Sequence, residues 1–175
     1  MLCSLLFFSS TVMAAPRMSA AWFGETGLNP GLKIGVEQTL TLIDGDKAGA
    51  HVGVGASLGT SLRPGSHWRS LASLEGFLGA RVGGLDLEIR AGLGGGRTFL
   101  ASPTYAIDDD GTLDRVLFAG QWGWMPWATA GFGSGIKRLD DVRWFVRGGP
   151  LLQTPAFADD ALYLITELGV TKGFW

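Results

Sequence analysis

The sequence predicts an all-β fold, an eight-stranded antiparallel up-and-down transmembrane β-barrel. Three observations predict it: apolar residues recur at every second position, 28 of the 175 residues are glycine, and short turns alternate with longer loops. Successive residues of a strand point to opposite faces, so a period of two gives one apolar face and one polar face. The clearest case is the segment 85–96, where Leu85, Leu87 and Ile89 alternate with Asp86, Glu88 and Arg90.

The N-terminal residues 1–14 are predicted to be a secretory signal peptide, which leaves residues 15–175 as the barrel domain. An apolar run continues to Val12 and Ala14, which suit the −3 and −1 positions of a cleavage site. The alternative is a buried N-terminal strand or helix. The only cysteine, Cys3, lies in this segment, so the mature chain is expected to carry no thiol chemistry.

Eight strands are expected, and the two classes of connection alternate between them. The predicted strands begin with Arg17–Glu25, and a long one covers about residues 114–137. Short turns are predicted at 44–46, 83–84 and 139–141, and longer loops at 26–31, 61–66, 101–113 and 154–160. With a periplasmic C-terminus, every short turn is periplasmic and every longer loop is outside, which is the pattern of transmembrane barrels.

Alternation alone also fits a soluble eight-stranded barrel, whose apolar side chains would point inward. The polar face argues for a membrane barrel instead, because it is dominated by Gly, Ser and Thr, and the whole chain has only four Lys. The charges on this face could neutralise one another inside a lumen, where a buried charge must be paired. The predicted lumen charge network comprises Lys33, Glu37, Arg69, Glu75, Arg81, Asp86, Glu88, Arg90, Arg143, Arg147 and Glu167.

Aromatic residues lie towards the strand ends, where a membrane barrel carries its interface girdles. Tryptophan favours the headgroup boundary because its ring is sheltered there while its N–H stays hydrated. The predicted membrane-interface aromatics are Trp22, Trp68, Trp122, Trp124 and Trp127 at the outer end, and Trp144, Phe174 and Trp175 at the periplasmic end.

The chain resembles the small eight-stranded outer-membrane barrels of the OmpA and OmpX type, in architecture over nearly the whole mature chain. The closing segment carries the one motif-like feature, with Leu164, Leu168, Val170 and Phe174 in one phase. Trp175 follows as an extra residue after that phase. The resemblance implies location in the outer membrane, contact with membrane lipid and lipopolysaccharide, recognition by the barrel-assembly machinery, and a monomer.

No catalytic residue, metal site or cofactor is predicted, and the balanced charge of 14 Lys and Arg against 16 Asp and Glu argues against nucleic acid. Some barrels of this size edit lipid A, which implies a His paired with a Ser. Here His67 and Ser70 are three residues apart and point to opposite faces. Asp108–Asp110 resemble part of a calcium loop, but the spacing is not that of an EF-hand.

The predicted function is therefore that of an integral outer-membrane β-barrel with a plugged, charge-paired lumen and a structural or surface-interaction role. Two alternatives remain at this stage: a lipid-modifying enzyme of the lipid A deacylase or acyltransferase type, and a small-conductance pore. Eight strands enclose a lumen that side chains can just fill, which argues against open diffusion.

Overall fold

The computed structural model describes residues 12–13, 16–25, 29–45, 47–100, 102–116, 119–134, 142–154 and 161–174. The strands are β1 (Val12–Met13), β2 (Arg17–Glu25), β3 (Gly31–Asp44), β4 (Ala48–Arg63), β5 (His67–Val82), β6 (Leu85–Leu100), β7 (Thr104–Ile107), β8 (Leu113–Val116), β9 (Gly120–Ser134), β10 (Arg143–Gln153) and β11 (Ala161–Gly173). Within the described residues, no helix is long and apolar enough to cross a membrane.

Eight of these strands pair antiparallel in a closed ring, in the order β2–β3–β4–β5–β6–β9–β10–β11 and back to β2. The ring closes through β11 and β2, whose register runs from Ile165 opposite Glu25 to Gly173 opposite Arg17. Neighbours in the ring are neighbours in the chain, which is the up-and-down topology. The predicted fold class is confirmed, and closure leaves no unpaired strand edge in the ring.

The barrel has two distinct ends. Both ends of the described barrel chain, near Arg17 and Gly173, lie at what we call the inner end, together with the β3–β4 and β5–β6 turns. The two-residue β5–β6 turn uses Gly83 at φ 61°, a conformation that glycine adopts without strain. The opposite end, which we call the outer end, carries the β4–β5 turn and the β7–β8 hairpin.

Three expectations about the connections need correction or lie outside the described residues. Strand β4 continues to Arg63 and β5 begins at His67, so the expected long loop at 61–66 is a three-residue turn. The expected strand over 114–137 is divided, because β8 ends at Val116 and β9 begins at Gly120. The predicted turn at 139–141 falls outside the described residues.

The N-terminal segment is described only at Val12–Met13, which pair with Thr41 and Leu40 of β3. This short pairing lies on the same side of β3 as β2, so it lengthens the seam between the first and second strands of the ring. The predicted signal peptide and its cleavage after Ala14 stay predictions.

Strands β7 and β8 form a separate two-stranded sheet; β7 lies within the predicted loop 101–113, while most of β8 lies in the expected strand 114–137. Both strands are almost wholly exposed to solvent, and they pair only with each other. We therefore expect replacement of residues 104–116 by a short Gly-Ser linker to change the free energy of unfolding by less than about 0.5 kcal/mol. Urea unfolding followed by tryptophan fluorescence in detergent micelles checks this, and a larger loss would show that the hairpin supports the barrel.

Side-chain burial separates the two faces of the wall. Large apolar side chains point outward and are exposed, which is the reverse of a soluble barrel. They include Leu32, Ile34, Val36, Val54, Leu58, Leu74, Leu78, Leu87, Ile89, Leu93, Phe132, Val146, Leu162, Leu164, Leu168 and Val170. Most charged side chains of the described ring strands point inward and are buried.

Candidate functional site in the barrel interior

The interior holds the charged residues that alternation placed there. Ten of the predicted network residues are buried, namely Lys33, Glu37, Arg69, Glu75, Asp86, Glu88, Arg90, Arg143, Arg147 and Glu167. The eleventh, Arg81, is partly exposed at the inner end and pairs with the exposed Asp44 at 2.8 Å. Strand pleating explains this placement, because all of these residues occupy the inward phase of their strands.

Arg90 of β6 is the centre of the interior charges. Its Nη2 donates to Glu37 at 2.6 Å, its Nη1 to Glu75 at 2.7 Å, and its Nε to Glu88 at 2.5 Å. The guanidinium also lies 4.1 Å from the ring centroid of Phe77. One side chain therefore meets three carboxylates on three strands, which uses the planar fork of donors that arginine provides.

These contacts continue into a closed circuit that we call the ion-pair ring: Arg90, Glu75, Lys33, Glu167, Arg147 and Glu88. Lys33 Nζ lies 3.3 Å from Glu75 and 2.8 Å from Glu167. Arg147 lies 3.5 Å from Glu167 and 3.0 Å from Glu88. The ring has three cations and three carboxylates, and it links β3, β5, β6, β10 and β11 across the lumen.

Below the ring, towards the inner end, a smaller group is built around Asp86. Arg143 Nη1 lies 3.2 Å from Asp86 and 3.5 Å from Glu88. His51 Nε2 lies 3.8 Å from Asp86. This group joins the ion-pair ring through Glu88, so the charges form one continuous network to the inner mouth.

Above the ring, towards the outer end, buried apolar side chains pack together inside the barrel. We call them the apolar layer: Phe23, Leu71, Met125, Trp127, Leu151 and Ile165. Trp127 was expected at the membrane interface, but it is buried inside. It occupies an odd position of β9, whereas the outward Trp122 and Trp124 occupy even positions. Lys33 lies 4.5 Å above the Trp127 ring and connects the two layers.

A second polar cluster covers the apolar layer at the outer end. Arg69 lies 2.5 Å from Glu25, and the Ser61 hydroxyl donates to the same carboxylate at 2.9 Å. Arg69 and Gln153 both reach the Thr98 hydroxyl at 3.4 Å. Sequence reasoning missed Glu25, which is the last residue of the first predicted strand.

The interior charges balance. Among the described residues, six buried cations (Arg17, Lys33, Arg69, Arg90, Arg143 and Arg147) face six buried carboxylates (Glu25, Glu37, Glu75, Asp86, Glu88 and Glu167). A buried ion is costly unless it is paired and hydrogen-bonded, and equal numbers allow pairing without a residual charge. The buried charges of the described interior therefore sum to zero, counting histidine as neutral.

Inward glycines make room for the large interior side chains. A Cβ at Gly92 would lie 2.6 Å from the Trp127 ring, and one at Gly131 would lie 2.6 Å from the Arg147 Cγ. A Cβ at Gly94 would lie 2.5 Å from Leu71. Each glycine on one strand thus gives space to a large side chain of a neighbouring strand, which explains why glycine collects on the inward face.

The other predicted interface aromatics lie on the barrel exterior wherever the structure describes them. Trp22, Trp68, Trp122, Trp124, Trp144 and Phe174 are exposed on the exterior. Trp175 lies outside the described residues. Trp68 stacks on Phe99 at 5.3 Å and donates its indole N–H to the Thr60 hydroxyl.

His67 and Ser70 do not form a hydrogen-bonded pair. His67 is buried at the outer end on the inward face, while Ser70 belongs to the outward phase of β5. The His67 Nδ1 instead contacts the Ser66 hydroxyl at 3.0 Å.

The acidic tip of the β7–β8 hairpin is organised as a turn. Asp110 accepts hydrogen bonds from the Thr112 hydroxyl at 2.7 Å and amide at 3.0 Å, and these donors lower the pKa of its carboxyl. Among the described residues, no group of three or more His, Cys, Asp or Glu side chains is placed to hold a metal ion.

A closed antiparallel barrel with an apolar exterior and a charged interior is a β-barrel of the transmembrane class. No protein-family model and no curated protein match the chain. Among solved structures, it is similar to the N-terminal β-barrel domain of Pseudomonas aeruginosa OprF, with 15% identity and a TM-score of 0.46 over 92% of this chain and 98% of that one.

Two further solved structures are similar over most of their length. Neisserial surface protein A has 12% identity and a TM-score of 0.45, with 93% of this chain and 96% of that one covered. The β domain of the Bordetella autotransporter BrkA has 9% identity and a TM-score of 0.29, with 93% and 100% covered. At these identities and TM-scores, the likenesses assign no function to the chain.

Proposed function

We propose that the protein is an integral outer-membrane β-barrel with a closed lumen and a structural or surface-interaction role. One observation carries this proposal: the outward face of the ring is an exposed apolar surface, with charges enclosed within. Soluble monomers rarely expose contiguous apolar patches beyond a few hundred Å². Lipid satisfies such a surface, and the closed ring keeps every strand edge paired within it.

The strand lengths suit this environment. The ring strands have 9 to 16 residues, and a tilted strand needs about 9–11 residues to cross a bilayer. Exposed aromatics stand near both ends of the barrel, as Trp68 and Trp122 do at the outer end and Trp144 at the inner end. The partners are membrane lipid, lipopolysaccharide and, during biogenesis, the barrel-assembly machinery. Each ring strand is paired on both sides within one chain, which supports a monomer.

The side chains inside the barrel support a structural role rather than a pore. A permeating ion would have to cross the apolar layer around Trp127 and then the ion-pair ring around Arg90, and these two obstacles lie in series. The separation of His67 from Ser70 supports a non-enzymatic role over lipid modification, because a nucleophile and its base must lie within hydrogen-bond reach.

Membrane fractionation tests the location. We expect the protein to sediment with outer membranes, to require detergent for extraction, and to migrate differently on gels before and after boiling. Recovery of the unboiled, folded protein from the aqueous fraction without detergent would contradict the proposal.

Planar-bilayer recording tests the closed lumen. Because two obstacles lie in series, we expect the reconstituted protein to give no unitary conductance steps above the baseline of protein-free bilayers. The recording uses about 1 M salt, at which the Debye length is only ~3 Å. Reproducible unitary steps from folded protein would favour the pore instead.

A further inference from the structure

The outward face of the eight ring strands is almost free of charge. Among its described positions, charge occurs at two residues: Arg97 near the outer end of β6 and Lys172 near the inner end of β11. Their outward phase follows from their cross-strand partners, because Arg97 pairs with the exposed Trp122 and Lys172 pairs with the exposed Met18. Both residues are cations, and no carboxylate occupies this face in the described strands.

The height of Arg97 matches a headgroup layer. Leu85 begins β6 at the inner end, and Arg97 lies twelve positions further along the same strand. At a rise of ~3.3 Å per residue and a tilt of about 40°, this separation is roughly 30 Å along the barrel axis. The apolar band of such barrels is about 25 Å tall. Measured from Leu85, Arg97 therefore lies at or just beyond the outer boundary of this band.

The surroundings of Arg97 form a small polar and aromatic surface. Ser70 and Trp122 are its direct neighbours on the two adjacent strands. Its guanidinium lies 5.1 Å from the ring centroid of Phe99, which in turn stacks on Trp68. Rings beside a guanidinium hold its plane in place, and its N–H groups can form paired hydrogen bonds to a phosphate.

We propose that Arg97, Ser70, Phe99 and Trp122 bind a phosphate group of an outer-leaflet lipopolysaccharide. This inference rests on the proposed outer-membrane location. A cation at headgroup height on a face without carboxylates is complementary to an anionic lipid. The aromatic side chains are suited to the boundary between the sugar headgroup and the acyl chains.

Lipid binding to the purified full chain in neutral detergent, measured by native mass spectrometry, tests the site. The probes are bis-phosphorylated lipid A, dephosphorylated lipid A and inorganic phosphate as a competitor. We expect Arg97→Gln to weaken binding of the phosphorylated lipid by at least about tenfold, because a charge-assisted hydrogen bond is lost. We expect the matched control Lys172→Gln, at the other end of the barrel, to bind like the wild type.

Removal of the lipid phosphates is expected to weaken binding to wild-type protein by a similar factor. Equal binding by Arg97→Gln, an equal loss in Lys172→Gln, or equal affinity for dephosphorylated lipid would each overturn the inference. Displacement of the lipid by equimolar inorganic phosphate would instead indicate a free-phosphate site and would also overturn it. These outcomes are separate from the location test, since both variants are expected to remain in the membrane fraction.

Discussion

Replacing Arg90 by glutamine is expected to lower the free energy of unfolding by about 3–5 kcal/mol, because it leaves buried carboxylates without their cation. Arg90 contacts Glu37, Glu75 and Glu88, and all four side chains are buried. A glutamine can still donate a hydrogen bond, but it carries no charge. Reversible urea unfolding in detergent micelles or lipid vesicles, followed by tryptophan fluorescence, measures the change.

Arg81→Gln is the matched control, since it removes the same charge from the inward phase of the neighbouring strand β5. Arg81 pairs with Asp44, whose side chain is 77% exposed, and such a pair contributes only about 0–1 kcal/mol. If Arg90→Gln does not fold, the double variant Arg90→Gln with Glu37→Gln still tests the argument. Neutralising one of the unpaired carboxylates as well should restore a measurable unfolding transition, and where both variants fold it should raise the free energy of unfolding by at least about 1 kcal/mol. Equal stability of Arg90→Gln and Arg81→Gln would show that the ion-pair ring does not stabilise the barrel.

Adding one methyl group at Gly92 is expected to destabilise the barrel by about 1–3 kcal/mol through overpacking. The added carbon would lie 2.6 Å from two atoms of the Trp127 ring and 2.8 Å from the Leu74 carbonyl oxygen. Neither neighbour can move freely, because the ring is packed in the apolar layer and the carbonyl belongs to the sheet. The same urea unfolding measurement checks Gly92→Ala.

Gly95→Ala provides the control within the same strand. Gly95 points outward, and an added carbon there meets only the Trp124 ring at 3.9 Å. Glycine weakens a strand, so this variant should be neutral or slightly more stable than the wild type. Similar losses in both variants would mean that a general effect of alanine in β6, rather than the space needed by Trp127, determines the result.

Sequence alternation predicted the barrel wall well, because strand pleating ties each residue to one face. Lys33, Glu75 and Arg90 were assigned inward from phase alone, and the structure places them there. Phase also accounts for the error at Trp127, whose odd position in β9 already indicated the interior. Its assignment to the interface with Trp122 and Trp124 rested on its aromatic type and its proximity in the chain, not on its strand phase.

The contents of the interior were less predictable. Leu71, Met125 and Leu151 occupy positions where the inward phase was expected to be polar or small, so a binary pattern gives no reason to expect an apolar layer. The space for such side chains depends on the residues of the neighbouring strand, as Leu71 and Gly94 show. Those pairings depend on the register between strands, which a single sequence does not contain.

The ring of ion pairs also constrains the order of assembly. Glu167 of the last strand meets Lys33 of the second ring strand, 134 positions earlier in the chain. Until the last strand arrives, Lys33 and Arg147 lack this shared carboxylate, and the unfinished interior must stay hydrated. We therefore expect ring closure and dehydration of the interior to occur together. A chain truncated before β11 should accumulate as an open, wet sheet rather than as a smaller barrel.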